Sequence, residues 1–90
     1  MTTAEIKRLF AEYEAEEAKH DKLDEAYEND PENEELEAAW DAQYKVVYNK
    51  SEELINAIYS FTAGQIEKKT IHAMLVKYRA RLKKIIELAA

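Results

Sequence analysis

The residues most suggestive of chemistry are Glu17 and His20, which are spaced as Glu-x-x-His. Residues three apart share one side of a helix, so this carboxylate and this imidazole would face the same ion. Four-helix bundles hold a pair of iron ions with two such units and two further glutamates. Here the second unit is missing, because the other histidine, His72, follows Lys69 at that spacing. We therefore predict no metal site and no other cofactor.

His20 is expected to have a simpler, structural role. Acidic side chains about one helical turn away are predicted to hydrogen-bond with its ring. The candidates are Glu16, Glu17 and Asp24.

The sequence lacks the other common catalytic groups. It contains no cysteine and a single glycine, so it has neither a thiolate nucleophile nor a glycine-rich loop for a phosphate. The two serines, Ser51 and Ser60, have no histidine close to them in sequence. Paired carboxylates on a helix surface imply no acid–base catalysis without a cleft. We therefore expect no catalytic residues and no enzymatic activity.

The composition predicts an all-α fold. One glycine and one proline in 90 residues are typical of long helices joined by short turns. Large apolar residues recur at steps of three and four between Asn33 and Phe61, so this amphipathic helix must be covered by others. We predict a single helical domain over residues 1–90, an antiparallel three-helix bundle in up-down-up order. Its helices are expected at about 3–28, about 31–62 and about 67–88.

Three local signals mark the helix ends. Thr2-x-x-Glu5 is a capping box that predicts the start of the first helix. Asp30 is predicted to cap the second helix, with Pro31 at its first position, where no backbone N–H is needed. Gly64 is predicted to end that helix in a left-handed conformation.

Charge is distributed unevenly along the chain. Residues 1–44 contain 15 acidic and 4 basic residues, whereas residues 45–90 contain 4 acidic and 9 basic residues. The sequence thus predicts a long acidic hairpin and a shorter basic third helix. Two explanations remain open: the two parts neutralise each other within the bundle, or the acidic surface docks on a basic partner.

The aromatic residues also allow two interpretations. Tyrosine and tryptophan at helical spacing fit either a buried core or an exposed interface. Trp40, Tyr48 and Tyr59 are the interface candidates, because they lie beside the main apolar stripe or near the Asp30 turn. The third helix is also too short to cover a hairpin of about 40 Å. The uncovered apolar surface favours a homo-oligomer or a partner helix.

We expect a non-enzymatic protein–protein interaction module that self-associates. Its acidic surface would meet a basic partner, with aromatic residues as anchors. The predicted partner-binding residues are Glu12, Glu16, Asp24, Glu25, Glu28, Glu35, Trp40, Tyr48 and Tyr59.

Two alternative functions remain open. Small, acidic, helical proteins without catalytic residues resemble phage-encoded inhibitors of the anti-CRISPR or anti-restriction type, and this resemblance implies a block of a basic nucleic-acid-binding groove. The other alternative is a structural or assembly component. Direct nucleic-acid binding is not expected, because an acidic chain repels a polyanion. No apolar run suits a membrane span and the start lacks the order of a secretion signal, so a cytoplasmic location is expected.

Overall fold

The structure, a computed structural model that describes residues 2–89, is all-α. Within that range the chain forms four helices: α1 (Thr3–Asn29), α2 (Glu34–Phe61), α3 (Lys68–Lys77) and α4 (Arg79–Leu88). α1 and α2 form a long antiparallel hairpin, α3 packs against α2, and α4 packs against α1. The molecule measures 46 by 20 by 19 Å. Among residues 2–89, no helix combines the length and the apolar character that crossing a membrane requires.

The turn between α1 and α2 differs from the predicted one. Asn33, not Asp30, caps α2: its Oδ1 accepts hydrogen bonds from the backbone N–H groups of Glu35 at 3.0 Å and Leu36 at 3.2 Å. The Asn33 side-chain amide in turn donates to the Asp30 carboxylate at 3.1 Å. An amide both donates and accepts, so Asn33 can close the turn and cap the helix at once. Pro31 consequently lies in the turn and not in the first turn of α2.

The other two predicted helix ends are confirmed. The Thr2 hydroxyl accepts a hydrogen bond from the backbone N–H of Glu5 at 3.2 Å, which caps α1. After α2 ends at Phe61, Gly64 has a φ of 73° and its backbone N–H donates to the Tyr59 carbonyl at 2.8 Å. Glycine adopts this left-handed conformation without a steric penalty, so it reverses the chain towards α3.

The prediction of a single third helix is wrong, because the chain leaves helical geometry at Tyr78 (φ −133°, ψ 47°). No proline or glycine marks this break. The side-chain Nε of Arg79 donates to the Leu75 carbonyl at 3.0 Å, an acceptor that the backbone N–H of Arg79 would use in a continuous helix. The break allows α3 to remain on α2 while α4 turns onto α1.

The core lies at one end of the hairpin. All four helices contribute to it, through Ile6, Leu9, Phe10, Tyr13, Leu54, Ile55, Ala57, Ile58, Ile71, Leu75, Leu82 and Ile86. No side chain of residues 14–50 is buried. We call residues 14–50 the arm and the rest of the described chain the head. The expected incomplete cover of the hairpin is therefore confirmed, since the α3–α4 segment packs over the head and contacts the arm only at its base, through Glu14 and Glu17.

Candidate functional site

Polar contacts, not a core, hold the two helices of the arm together. The Gln43 amide donates to the Glu16 carboxylate at 2.7 Å and to the Glu16 carbonyl at 3.0 Å. At the base of the arm, the Lys50 ammonium lies 3.4 Å from the Glu12 carboxylate. Hydrogen bonds from Gln43 and from Lys19 lower the pKa of the Glu16 carboxyl. Two predicted partner-binding residues, Glu12 and Glu16, thus already have partners within the hairpin.

An aromatic cluster lies nearer the tip of the arm. The rings of Trp40 and Tyr44 are stacked, with centroids 5.7 Å apart and an interplanar angle of 14°. Tyr27 and His20 of α1 contact the same indole, at centroid distances of 6.4 Å and 4.9 Å. The indole N–H donates to the Asp24 carboxylate at 3.0 Å, so Asp24 fixes the orientation of Trp40.

Trp40, Tyr44 and Tyr48 form a row along α2, four residues apart, which we call the aromatic row. Tyr44 and Tyr48 are 52% and 54% exposed, and Trp40 is partly buried. With Lys45 and Asn49, the two tyrosines line a shallow depression of about 340 Å³. Large aromatic surface therefore faces solvent on an element that has no core of its own.

His20 does not have the hydrogen bond predicted for its ring. Its Nε2 atom is buried and no hydrogen bond reaches it. The three predicted partners are engaged elsewhere: Glu16 with Gln43, Glu17 with Arg79, and Asp24 with Trp40. His20 instead packs beside the indole ring. Among residues 2–89, no three histidine or acidic side chains are grouped so as to hold a metal ion.

The junction between arm and head is closed by Arg79. Its guanidinium donates to both carboxylate oxygens of Glu17, at 2.7 and 2.9 Å, and lies 5.3 Å from the ring centroid of Tyr13. The hydrogen bonds from Arg79 lower the pKa of the Glu17 carboxyl, and the same pair raises the pKa of the Arg79 guanidinium. Burial and the nearby Glu17 carboxylate raise the pKa of the Tyr13 hydroxyl. This ion pair fixes the start of α4 against α1.

The remaining predicted site residues fall into two separate groups. Glu25, Glu28 and Glu35 are exposed near the tip of the arm. Tyr59 lies at the far end of α2, in the head, where the Lys68 ammonium is 5.1 Å from its ring centroid. A Cβ added to Gly64 would lie 3.2 Å from the Tyr59 hydroxyl, so this ring also covers the turn after α2. The structure brings Trp40 and Tyr48 together but places Tyr59 elsewhere.

Charge separates along the molecule as well as along the sequence. The arm contains 13 acidic and 4 basic residues, and several of its carboxylates near the tip have no cation beside them. At the junction, Glu14 of the arm pairs with Lys83 of the head at 2.8 Å, and within the head Lys7 pairs with Glu87 at 3.8 Å. These residues and the apolar side chains beside them line an open cleft of about 310 Å³ between α1 and α4. The cleft is occupied by its own ion pairs, whereas the arm presents unneutralised negative charge.

Tyr44 of the aromatic row and Arg79 of the junction were not among the site residues predicted from the sequence. Tyr44 had a usable signal, because it lies four residues from both Trp40 and Tyr48 and so belongs to their row. Arg79 had none, since its partner Glu17 is 62 residues away in the chain.

No protein-family model, curated protein or solved structure matches the chain.

Proposed function

We propose that this protein is a non-enzymatic protein–protein interaction module whose acidic arm binds a basic surface of another protein. The observation that carries the proposal is the exposed aromatic row on an arm without a buried core. More than half of the side-chain surface of Tyr44 and Tyr48 contacts water. These rings therefore contribute little to folding the head, and covering them on a partner releases apolar surface from water.

The orientation of the aromatic row supports an anchoring role. Trp40 is held by the hydrogen bond to Asp24 and stacks on Tyr44, so both rings are ordered before a partner arrives. An interface residue that is already ordered loses less conformational entropy on binding. Tryptophan and tyrosine are also enriched among the residues that dominate binding energy. Trp40 and Tyr44 at the centre, with Tyr48 beside them, are the proposed anchors.

The charge of the arm supports a basic partner. Glu25, Glu28 and Glu35 are exposed at the tip, beyond the Trp40 end of the aromatic row, and give this end of the arm negative charge. This charge attracts a basic surface over a distance set by the Debye length and disfavours acidic partners. We therefore assign specificity and association rate to the tip carboxylates, and most of the affinity to the aromatic residues.

Affinity capture followed by titration tests this proposal. The tagged chain is used to capture proteins from an extract of its source cells, and each captured protein is then purified and titrated calorimetrically against the chain. Two double variants are compared with the wild type: Tyr44→Ala with Tyr48→Ala, and Glu25→Lys with Glu28→Lys. Each is expected to weaken binding by about tenfold or more, because anchors and opposite charges each contribute more than about 1.4 kcal/mol.

Leu88→Ala is the matched control, since Leu88 is 77% exposed but lies on the head. Its affinity should equal that of the wild type. Raising the salt concentration from about 0.1 M to about 1 M should weaken wild-type binding, because the Debye length falls from about 10 Å to about 3 Å. The proposal fails if the purified partners bind both double variants as tightly as they bind the wild type.

The density of charge at the tip favours a second, more specific candidate. Residues 24–37 contain eight acidic and no basic residues. A narrow acidic tip of this kind fits a groove that otherwise holds a phosphate backbone, so the protein would inhibit a nucleic-acid-binding protein. A fluorescent oligonucleotide bound to the purified partner distinguishes this case. The inhibitor should displace the oligonucleotide, whereas another kind of module should leave it bound.

A further inference from the structure

One side of the arm continues the surface on which α3 packs in the head. Trp40, Tyr44 and Tyr48 are four residues apart on α2, and further steps of three and four reach Ser51 and Ile55. Ser51 and Ile55 are buried, at the level where α3 packs against α2. The aromatic row is therefore the uncovered continuation of a helix-packing surface.

A row of residues on α1, spaced by four, is likewise covered near the head and exposed further along the arm. Tyr13 and Glu17 are covered by Arg79 at the start of α4. Four residues beyond Glu17, Asp21 lies on the same side of α1 and is exposed. We call this uncovered side of the hairpin the arm face, and it is formed by Asp21, Glu37, Trp40, Asp41, Tyr44 and Tyr48.

The outer surface of α3 and α4 has the opposite charge. α3 turns Ile71 and Leu75 towards the core, so its opposite side presents Val76, which is 61% exposed, between two lysines. Four exposed cations on this outer surface form no ion pair within residues 2–89. They are Lys69, Lys77, Arg81 and Lys84.

The two surfaces give the molecule a stepped shape. α1 and α2 are each about 40 Å long, whereas α3 and α4 are each about 15 Å long at 1.5 Å per residue. The α3–α4 layer therefore lies on the head alone and leaves a step above the arm face. A layer about 15 Å long fits in that step.

We propose that two copies of this chain form an antiparallel, two-fold dimer in which the α3–α4 layer of each copy covers the arm face of the other. A rotation of 180° perpendicular to the long axis places each head above the opposite arm. The same contact then occurs twice, so the assembly closes and does not grow into a filament. In each contact Val76 of one copy meets the aromatic row of the other, and Lys69 and Lys77 meet Glu37 and Asp41.

Charge selects this arrangement over the other dimers that the chain could form. An arm-to-arm dimer would bring together two arms that each contain 13 acidic and 4 basic residues, with Asp21, Glu37 and Asp41 on each arm face. A dimer through the two α3–α4 layers would oppose two basic surfaces. Like charges in a contact are unfavourable, whereas the arm-to-layer contact joins opposite charges.

The dimer uses the arm face together with the aromatic row assigned above to a basic partner. The dimer rests on the proposed function only in that both use the same surface. A second copy of the chain therefore competes with the basic partner for the aromatic row. The experiment below uses the chain alone. A failure of the dimer leaves the test of partner binding unaffected, and a failure of partner binding leaves the dimer intact.

Sedimentation equilibrium of the 90-residue chain is the first measurement. We expect twice the chain mass of 10.5 kDa at low salt. The dissociation constant should rise about tenfold or more between about 0.1 M and about 1 M salt, because the contact joins exposed opposite charges. A mass of one chain at every concentration and at low salt overturns the proposal.

Paired charge reversals test the orientation. Lys69→Glu with Lys77→Glu places two acidic residues opposite Glu37 and Asp41 of the other copy. Glu37→Lys with Asp41→Lys places two basic residues opposite Lys69 and Lys77. Each double variant alone should be monomeric, because these positions then bring like charges together in both contacts. Mixed in equal amounts, the two variants should form a heterodimer, since both of its contacts again join opposite charges. Lys22→Glu, a reversal on the outer side of α1, is the control that should dimerise as the wild type does.

The substituted residues are exposed, so circular dichroism should show the helix content of the wild type for every variant. A cross-linking measurement on the wild type gives the orientation independently of any substitution. Unlabelled and nitrogen-15-labelled chains are mixed and joined with a carbodiimide, which links lysines to carboxylates in contact. Labelled–unlabelled links from Lys69 or Lys77 to Glu37 or Asp41 support the proposal. Dimers that persist in the variant with Lys69→Glu and Lys77→Glu, or intermolecular links confined to other regions, overturn it.

Discussion

Replacing Arg79 by alanine should destabilise the protein by about 2–3 kcal/mol. Arg79 makes two hydrogen bonds to Glu17 and one to the Leu75 carbonyl. A fully exposed ion pair contributes less than about 1 kcal/mol, and removing one member of a fully buried pair costs about 3–5 kcal/mol. The side chains of Arg79 and Glu17 are 26% and 29% exposed, so the pair lies between these limits. The variant also removes the side-chain donor to the Leu75 carbonyl at the break between α3 and α4.

Urea and thermal unfolding followed by circular dichroism measure this loss. For a chain of this size, about 2 kcal/mol lowers the melting temperature by roughly 10 °C. Arg81→Ala is the matched control, because Arg81 is exposed on the same helix and should change the free energy of unfolding by less than about 0.5 kcal/mol. A double-mutant cycle with Glu17→Gln should give a coupling energy above about 1 kcal/mol. Equal stability of the Arg79→Ala and Arg81→Ala variants would refute the reasoning.

The same ion pair predicts a pH dependence. Hydrogen bonds from Arg79 lower the pKa of the Glu17 carboxyl in the folded protein from its ordinary value of 4.5. The folded state therefore binds this proton less tightly than the unfolded state does, and the pair stabilises the protein at pH values above 4.5. This stabilisation by the ion pair is lost as the pH falls through the lowered pKa that the Glu17 carboxyl has in the folded protein. The stability difference between the wild type and Arg79→Ala should accordingly shrink below that range, and an undiminished difference in acid would assign it to something other than the ion pair.

Three further predictions concern the fold. Leu54→Ala should cost about 2–5 kcal/mol because Leu54 is fully buried in the head, whereas Val46→Ala on the arm should cost less than about 1 kcal/mol; similar urea midpoints for both would contradict a core confined to the head. Asn33→Ala should lower the free energy of unfolding by about 1 kcal/mol through loss of the α2 cap, and an unchanged melting temperature would argue against that cap. Gly64→Ala should destabilise by about 1 kcal/mol, because its φ is 73° and a tyrosine hydroxyl lies 3.2 Å from the added Cβ. Ala63→Gly, at a φ of 53°, should instead leave stability unchanged or raise it by a few tenths of a kcal/mol; equal losses at both positions would exclude backbone strain as the cause.

Local physics made much of the helical architecture predictable. The helix periodicity around Leu54 and Ile58, the cap at Thr2 and the left-handed Gly64 each depend on residues within a few positions of one another. Such signals can be read from sequence because their geometry is set by the backbone. The aromatic row on α2 was accessible in the same way, as a repeat of four residues.

Competition between nearby groups limited other predictions. Asp30 and Asn33 are both good capping residues, and Asn33 caps α2 because an amide can also donate to the carboxylate of Asp30. Likewise, His20 has no hydrogen bond to Asp24, and the Trp40 indole donates to that carboxylate from the facing helix. From the sequence the cap was assigned to Asp30 and the bond to Asp24 was assigned to His20, whereas Asn33 forms the cap and Trp40 forms the bond.

The break at Tyr78 is the clearest feature that only the tertiary structure decided. Nothing in the sequence between Lys77 and Arg79 prevents a continuous helix. After the break, α4 packs against α1 and buries Leu82 and Ile86 in the shared core. The cost of the break is offset by contacts that Arg79 makes with residues distant in the chain. Local sequence therefore predicts where this chain is helical, while the pairing of charges and apolar surfaces across long separations decides where its head ends and its exposed arm begins.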